Sequence, residues 1–416
     1  MKKIDYVYSK IIAKENLYRS AYMAAKGRRY RDTTADFNFN LENEVQCLYE
    51  GLMMKTYRHG KYRVFTIRDP KTRMISAAPF RDRVVHHAVH DVIEPLIDKN
   101  FIYDSYACRK GKGTHKAVDR AQSFLRANRY CLHGDVKKYF PSIDHDILKN
   151  ILRRRIGDES LLWLLDGVID SAVSPLSDRP TGELSFPRKH ALSEVEGRES
   201  IDSHFHGNSS DMKPANQKSL PIGNLTSQFF ANLYLNELDY FVKSDLRCRY
   251  YIRYMDDFLI FGNDKEALKC VKGRIREFLR DKLNLTLHEG KSQVYKTKAG
   301  IKFLGFRIYA NYRRLATDNV RRLRKRLKKF AYLLKNDRMG TKEISDSVRC
   351  WVAHSRYANT KMLRRRIWRS LAGKNEVLGK ALGEILLDGG VGRVGGEKNE
   401  GLKSTIRQSG ENGAAG

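Results

Sequence analysis

The sequence has few cysteines and no long apolar run, and each shortage excludes a class of protein. Its 6 cysteines are scattered without a C-x-x-C pair, which excludes a disulfide framework and a cysteine-based zinc site. No window approaches the roughly 18 uninterrupted apolar residues of a membrane-spanning helix. Charged residues close to the start interrupt the apolar segment that a secretory signal would need. The composition predicts a soluble, cytoplasmic protein without a membrane partner.

Acidic residues are scarce relative to basic ones. The chain has 48 Asp and Glu against 79 Lys and Arg, which gives a formal net charge of +31. A wholly disordered basic chain is excluded, because 41% of the residues are hydrophobic and 10% are aromatic, enough to build packed cores. At 48.2 kDa we expect two or three lobes. So large an excess of positive charge indicates a polyanionic partner, nucleic acid before a membrane surface.

Helix-like and strand-like segments alternate irregularly along the chain. Apolar spacing predicts helices over 42–57 and 83–97. Short β-rich runs predict strands, at Tyr62–Ile67, Tyr130–Val136, Arg249–Tyr254, Phe258–Phe261 and Phe303–Tyr309. The pattern favours an α+β fold with helices on one face of a sheet. A polar stretch at about 176–218 predicts an inserted loop, and residues 376–416 predict a disordered tail.

Two adjacent carboxylates interrupt an apolar stretch in the sequence RYYIRYMDDFLIFGN. The pattern predicts a hairpin with Asp256 and Asp257 at its tip, where a tight turn could let both side chains reach one metal ion. Negative charges between apolar strands are costly unless a cation compensates them. Most acidic dipeptides are solvated turn residues, so this pair alone is weak support for a metal site.

A third carboxylate, Asp135, ends another β-like run in RYCLHGDVKKYFPSIDHDIL. Asp144, further along, is explained as a helix N-cap or first-turn acid, whereas Asp135 has no such explanation. Three carboxylates at strand ends suit Mg²⁺, which prefers hard oxygen ligands. In a two-metal site one ion activates the attacking hydroxyl and the other stabilises the leaving pyrophosphate.

The motif YMDD at Tyr254–Asp257, with Asp135 and Phe140 upstream, resembles the palm of a reverse transcriptase. Further blocks resemble the same family in the same order along the chain: KTRMISAAPFRDRVVHHAV, YDSYACRKGKGTHKAV, PIGNLTSQFFANLYLNELD, LHEGKSQV and IKFLGFRIY. The resemblance implies a right-hand polymerase with an antiparallel palm sheet backed by helices. It implies an N-terminal segment and fingers over 1–134, a palm over 135–310 and a thumb over 311–375.

The resemblance also assigns roles around the metal site. Asp135, Asp256 and Asp257 match the metal ligands, with the backbone of Val136 a further one. The implied cofactor is a pair of Mg²⁺ ions, with Mn²⁺ as a substitute. Lys291 matches a lysine proposed to protonate the leaving pyrophosphate, although a plain phosphate contact explains it almost as well.

Several residues match the family's contacts to the incoming deoxynucleotide. Phe140 matches the aromatic gate that excludes ribonucleotides, and its alternative is a core aromatic after a strand. Arg73, with Arg68, matches the finger cations that grip the triphosphate, and both could instead be solvated hairpin charges. The remaining matched positions line the nucleotide site, at Ile222, Gly223, Gln228, Tyr254 and Met255.

Two basic segments match nucleic-acid contacts. Arg109, Lys110 and Lys112 in CRKGKG are expected to contact the template backbone. The segment TDNVRRLRKRLKKFAYLLKN spaces its apolar residues as a helix, and its basic face includes Arg322, Arg326 and Lys329. Most charge runs are only solvated faces, but a basic helix where a thumb belongs predicts contact with duplex phosphates.

The block IGNLTSQ at Ile222–Gln228 resembles the reverse transcriptases of diversity-generating retroelements. Group II intron and retroviral enzymes generally carry Gln and Pro where this chain has Ile222 and Gln228. The resemblance implies error-prone copying of a template-repeat RNA at adenines, with template RNA, primer or cDNA duplex, dNTPs and a small basic accessory protein oligomer as partners. The alternatives are an intron-type reverse transcriptase or maturase and a catalytically inactive RNA-binding palm protein.

Overall fold

A computed structural model describes residues 3–67, 72–171 and 218–387. The chain divides into two compact units, the first ending at Gly300 and the second beginning at Ile301. The strands that follow Gly300 belong to the second unit, whereas the sequence prediction assigned residues up to 310 to the palm. Where fingers, palm and thumb begin and end stays a prediction.

The first unit opens with helices and a two-stranded hairpin. Four helices come first: α1 Tyr8–Ile12, α2 Lys14–Ala25, α3 Asp32–Phe39 and α4 Leu41–Met53. Strands β1 (Arg63–Ile67) and β2 (Arg73–Ala77) pair antiparallel. Helix α5 (Phe80–Asp98) then packs against α2 and continues past Pro95. The predicted helix over 42–57 ends early, because Lys55 has a left-handed φ of 56°.

The centre of the first unit is an antiparallel four-stranded sheet, which we call the palm sheet, with strand order β4-β5-β3-β6. Its strands are β3 Tyr130–Asp135, β4 Tyr250–Tyr254, β5 Asp257–Gly262 and β6 Gln293–Lys296. The expected α+β class with an antiparallel sheet is therefore confirmed. Gly134 lies opposite Phe258 in the sheet, and a Cβ at this position would meet the Phe258 ring at 2.1 Å, so no larger residue fits without a shift.

Within the described residues, six further helices of the first unit contribute much of its core. They are α6 Thr114–Ala127, α7 Tyr139–Ser142, α8 His145–Arg155, α9 Glu159–Asp170, α10 Leu225–Tyr240 with a π-helical extension Phe241–Asp245, and α11 Lys265–Leu283. Helix α10 is buried along most of its length, as expected of a central helix, and its buried residues include polar ones such as Asn232 and Asp239. Asp144 caps α8 by accepting hydrogen bonds from the amides of Asp146 and Ile147, which confirms its structural role.

The second unit contains a small sheet and four helices among the described residues. The sheet comprises β7 Ile301–Phe303, β8 Phe306–Ile308 and β9 Arg313–Leu315, and the helices are α12 Thr317–Lys335, α13 Thr341–Ser355, α14 Lys361–Ala372 and α15 Glu376–Leu387. The single strand predicted at Phe303–Tyr309 is wrong. Leu304 and Gly305 have φ of 48° and 86°, which turns the chain into a hairpin.

The predicted disordered tail is wrong for residues 376–387, which form α15. Its buried residues Leu378, Leu382 and Leu386 follow a four-residue helical spacing that the sequence interpretation missed. Residues 388–416 lie outside the described residues, and so does the predicted insert apart from Lys218, which pairs with Asp144. Within the three described ranges, no helix has both the length and the apolar character needed to cross a membrane.

Candidate active site

The YMDD segment forms the tight hairpin that the sequence predicts. Strands β4 and β5 pair so that Tyr254 lies opposite Asp257, which leaves Met255 and Asp256 as the two turn residues. Met255 has φ 57°, an uncommon conformation for a residue other than glycine. Asp256 is therefore at the tip, and Asp257 is the first residue of the returning strand.

The third predicted carboxylate lies beside this hairpin. Asp135 ends β3 and is the register partner of Asp257 on the adjacent strand β5. The amide of Val136 donates a hydrogen bond of 3.3 Å to the carbonyl of Asp256, which ties the end of β3 to the turn. The structure thus brings Asp135, Val136, Asp256 and Asp257 together at one edge of the palm sheet.

Two of the three carboxylates have basic partners. Lys291 Nζ lies 2.6 Å from Asp135 Oδ2, and His133 Nε2 lies 2.6 Å from Asp257 Oδ1. His133 precedes Asp135 by two residues on β3, and side chains two apart share a face of a strand. That periodicity could have identified His133 from sequence, but our sequence interpretation missed it.

The electrostatics around the three carboxylates favour a bound cation. Burial, together with repulsion from Asp135 and Asp257, raises the pKa of Asp256 to about 6. Burial also raises the pKa of Asp257, against the opposing effect of His133. A raised carboxylate pKa means that negative charge is costly here, and a cation would relieve that cost.

The donor chemistry fits a hard divalent cation, because three carboxylates converge where negative charge is disfavoured. The side chains do not already form a metal cage, however. Over residues 3–67, 72–171 and 218–387, no group of three or more His, Cys, Asp and Glu side chains is arranged to hold a metal ion. In this arrangement, Lys291 compensates part of the carboxylate charge, and His133 contacts Asp257.

The predicted nucleotide block joins β2 to the start of α10. The carbonyl of Ile222 accepts a hydrogen bond from the amide of Ser76 at 3.1 Å, and the Asn224 amide group donates to the Ser76 carbonyl at 3.1 Å. Gly223 has φ 119°, and a Cβ there would lie 2.9 Å from Ile75, so glycine is required for both reasons. Ile222 and Gly223 therefore link the hairpin β1–β2 to α10.

Other predicted substrate residues lie on α10, α7 and β4. Gln228, half-buried on α10, accepts a hydrogen bond from Cys108 Sγ at 3.2 Å. The Tyr254 hydroxyl accepts one from Thr114 Oγ1 at 3.3 Å. Phe140 is half-buried on α7 and its ring packs edge-on against Tyr139, with centroids 5.7 Å apart. Whether these residues contact nucleotide stays a prediction.

The two finger cations are placed unequally. Arg73 is exposed at the start of β2. Arg68 lies outside the described residues. Because Arg73 is exposed, its guanidinium is accessible to a triphosphate. That both arginines bind the triphosphate stays a prediction.

Arg109 is not available to the template backbone, which corrects the sequence prediction. Its guanidinium forms an ion pair with Asp98 and donates to the carbonyls of Ile102 and Ser105 at 2.8 and 2.9 Å. The side chain is only 8% exposed. Its hydrogen-bonding groups are used to close the loop after α5, a long-range arrangement that the local sequence CRKGKG does not reveal.

The neighbouring lysines differ from Arg109. Lys110 is 85% exposed, with Glu94 at 3.9 Å. Lys112 donates to the Tyr103 carbonyl at 2.7 Å and lies 3.4 Å from the centroid of the Tyr103 ring. Lys110 therefore keeps an accessible charge, whereas Lys112 is largely engaged within the protein.

Helix α12 has the two faces that the sequence predicts. Leu323, Leu327 and Phe330 are buried on one side. On the other side Arg322 and Lys329 are exposed, and Arg326 is half-buried. Because exposed cations on one helix face can approach a phosphate backbone, the arrangement permits contact with nucleic acid.

Comparison with known proteins defines the class. The family model "Reverse transcriptase (RNA-dependent DNA polymerase)" matches residues 67–308, and the chain belongs to this family. The match spans more than half of the chain and includes the three carboxylates and the whole palm sheet. The family resemblance inferred from YMDD is thereby confirmed.

Particular relatives include intron-encoded proteins. The chain is 24% identical to Protein YkfC of Escherichia coli K12, over 64% of this chain and 71% of that protein. It is 23% identical to the group II intron-encoded protein LtrA of Lactococcus lactis, over 71% of this chain and 54% of LtrA. It is 21% identical to a COX1/OXI3 intron 2 protein of Saccharomyces cerevisiae, over 69% of this chain but 37% of that protein.

The chain thus spans from about a third to about seven tenths of the length of these relatives. Among solved structures, apo telomerase from Candida tropicalis is similar with a TM-score of 0.45 and 12% identity, over 79% of this chain and 63% of that one. The α+β fold with antiparallel sheets is compatible with a right-hand polymerase.

Proposed function

We propose that this protein is an RNA-directed DNA polymerase that extends a primer with deoxynucleotides on an RNA template. The observation that carries the proposal is the meeting of Asp135, Asp256 and Asp257 at one edge of the palm sheet, within the span matched by the family. Burial makes the negative charge of Asp256 and Asp257 costly, and a bound cation would relieve that cost.

Each residue of the site has its own role in the proposed reaction. Asp135, Asp256 and Asp257, with the Val136 backbone, would hold Mg²⁺, or Mn²⁺ in its place. The bound metal would supply Lewis acidity for nucleotidyl transfer and release of pyrophosphate. Lys291, beside Asp135, would donate a proton to the leaving pyrophosphate. Arg73 binds the triphosphate, Phe140 excludes the ribose hydroxyl, and Ile222, Gly223, Gln228, Tyr254 and Met255 line the nascent pair.

The test is extension of a DNA primer on an RNA template in Mg²⁺. We expect extension by the wild type and its loss in Asp257→Ala. The matched control is Asp281→Ala, an exposed aspartate on α11, which should extend like the wild type. If the wild type extends no primer on any template, the catalytic proposal fails and an RNA-binding palm protein becomes the better interpretation.

We further propose that the template is the template-repeat RNA of a diversity-generating retroelement, copied with errors at adenines. The block Ile222–Gln228 supports this, because Ile222 places an aliphatic side chain where related enzymes carry an amide. Loss of that hydrogen-bonding group is expected to loosen base selection. A small basic accessory protein oligomer would assist the enzyme.

Sequencing of the cDNA tests the subfamily. We expect substitutions concentrated at template adenines, and fewer of them in Ile222→Gln. An error spectrum without adenine bias, or one that Ile222→Gln leaves unchanged, would rule out the role given to Ile222.

Group II intron splicing is the second candidate function. It is supported by the similarity to the intron-encoded protein LtrA over 71% of this chain. Stimulated splicing of an intron RNA by the purified protein, without adenine-biased errors in its cDNA, would favour this candidate over the retroelement enzyme.

A further inference from the structure

The side chain of Arg253 lies beneath the catalytic hairpin and is completely buried. Arg253 belongs to β4 and precedes the turn residue Met255 by two positions. A guanidinium has five N–H donors in a planar fork, and here every one has an acceptor. The acceptors are Asp239 Oδ1 at 2.7 Å, Asp239 Oδ2 at 2.5 Å, Asn232 Oδ1 at 3.2 Å, Asn232 O at 3.4 Å and Met255 O at 3.2 Å.

Helix α10 anchors this guanidinium from below. Asp239 is also completely buried and pairs with Arg253 through both carboxylate oxygens. The Tyr251 hydroxyl donates to Asp239 Oδ1 at 2.7 Å, so the carboxylate is well satisfied. A buried ion pair of this kind often gives no net stability over apolar residues of similar volume. Its presence beneath the catalytic turn therefore calls for an explanation other than stability.

Arg253 links α10 to the turn that carries Asp256. Its Nη1 donates to the carbonyl of Met255, whose φ of 57° is unfavourable for a residue with a side chain. On the other side of the turn, the Val136 amide donates to the next carbonyl, that of Asp256. The two successive carbonyls of the turn are thus each fixed by a hydrogen bond, one from Arg253 and one from the strand that carries Asp135.

The same cluster holds the loop that follows α5. The Asn232 amide group, whose oxygen accepts from Arg253, donates to the Ala107 carbonyl at 2.7 Å. The backbone of Arg253 exchanges hydrogen bonds of 3.0 Å with Asp104 and Tyr106 in that loop. Arg253 therefore couples three parts of the molecule: α10, the catalytic turn and the loop leading to Cys108.

We propose that Arg253 is a positioning residue that fixes the backbone of the Met255–Asp256 turn, and through it the Asp256 carboxylate, with Asp239 and Asn232 as its anchors. The proposal rests on the proposed polymerase function, since it concerns the same carboxylates. A purely structural role would require only that the fold depends on Arg253. The positioning role also requires that the geometry of the active site depends on it.

The test replaces the ion pair by apolar residues in the double variant Arg253→Met/Asp239→Leu. Neither charge is left unpaired, but the Tyr251 hydroxyl, Asn232 and the Met255 carbonyl each lose a partner. We therefore expect the variant to fold with a lower melting temperature than the wild type. We expect kcat for primer extension to fall about 100-fold through misplacement of Asp256, with little change in KM for the deoxynucleotide. Binding of Mn²⁺ to the protein without nucleic acid, measured by electron paramagnetic resonance, should weaken about tenfold, a loss of about 1.4 kcal/mol.

Two further variants separate positioning from stability. Arg253→Lys keeps the charge beside Asp239 but has only three donors on a flexible stem, so it should be intermediate in kcat and in Mn²⁺ binding. The matched control is Arg155→Met, since Arg155 is a mostly buried arginine that pairs with Glu237 of the same helix α10 at 3.1 Å. It should lower the melting temperature without lowering kcat per folded molecule.

The outcomes are distinct. A folded double variant that has wild-type kcat and wild-type Mn²⁺ binding would overturn the positioning role. If the double variant does not fold, Arg253→Lys decides by the same two measurements. A wild type without polymerase activity would contradict the polymerase proposal. The positioning role would then be decided by Mn²⁺ binding alone. Equal Mn²⁺ affinities of the wild type and the double variant would contradict that role.

Discussion

Three basic residues of the first unit, Arg253, Arg109 and Lys291, occupy environments that contrast with those of the basic residues on helix α12 of the second unit. Arg253 and Arg109 are buried or nearly so, with their donors directed to carboxylates and carbonyls. Lys291 is half-exposed but lies on Asp135. On α12, Arg322 and Lys329 are exposed beside an apolar face that packs inward.

The contrast shows that the same residue type serves two purposes in a chain with a net charge of +31. Cations paired internally organise the site, and their removal should alter stability or rate. Exposed cations on a helix face should instead determine affinity and its dependence on salt. Substitutions at the two kinds of cation should therefore have separable effects.

Among single substitutions of these cations, the largest effect on rate is expected at Lys291, which pairs with the carboxylate of Asp135. Lys291→Ala removes the ammonium 2.6 Å from Asp135. If it protonates the leaving pyrophosphate, kcat should fall about 100-fold, as is typical of a missing general acid. Single-turnover incorporation of one deoxynucleotide measures this directly.

The control for Lys291 is Lys296→Ala, an exposed lysine on β6. It should leave the incorporation rate unchanged. A Lys291→Ala enzyme with wild-type kcat and a raised KM for deoxynucleotide would show that Lys291 is a phosphate contact instead.

Arg109 should behave as a structural cation. Arg109→Ala leaves the Asp98 carboxylate and three carbonyls without their donor. The free energy of unfolding should fall by about 2 kcal/mol, while the salt dependence of nucleic-acid binding stays as in the wild type. Denaturant titration and binding at several salt concentrations check both parts. A shallower salt dependence of nucleic-acid binding in this variant would instead show that Arg109 contacts the template.

Substitutions on α12 are expected to have the smallest effect on the fold. They should have the clearest effect on the salt dependence of nucleic-acid binding. Replacing Arg322, Arg326 and Lys329 by Ala should reduce the slope of log affinity against log salt, by about 0.9 for each duplex phosphate that the helix no longer neutralises. Affinity for an RNA–DNA duplex should fall about tenfold in moderate salt. Arg349→Ala, at an exposed arginine on α13, is the matched control. A triple variant with the wild-type slope would remove α12 from the nucleic-acid interface.

Local sequence was sufficient to predict part of the site. The pair Asp256–Asp257 between two apolar runs predicts a hairpin, and the end of a β-like run predicts the position of Asp135. These features depend on neighbours in the chain. The failures involve distant partners: the burial of Arg109 depends on the fold of the loop after α5, and His133 meets Asp257 across 124 residues of sequence.

Arg253 could have been noticed from sequence, since a charge inside an apolar strand requires a buried partner. Its partner Asp239 could not have been chosen, because only the packing of α10 beneath β4 selects it from many carboxylates. The turn at Leu304–Gly305 was missed for a simpler reason. The apolar residues on both sides of it match one continuous strand as well as they match a hairpin.

The central claim, that three carboxylates at the edge of the palm sheet support DNA synthesis on RNA, has one direct measurement. It is the Mg²⁺-dependent incorporation of a deoxynucleotide on an RNA template by the wild type and by Asp256→Asn, with both shown to be folded by circular dichroism. We predict incorporation by the wild type, abolished on chelation of the metal, and none by Asp256→Asn. Equal incorporation by the two proteins would contradict the claim.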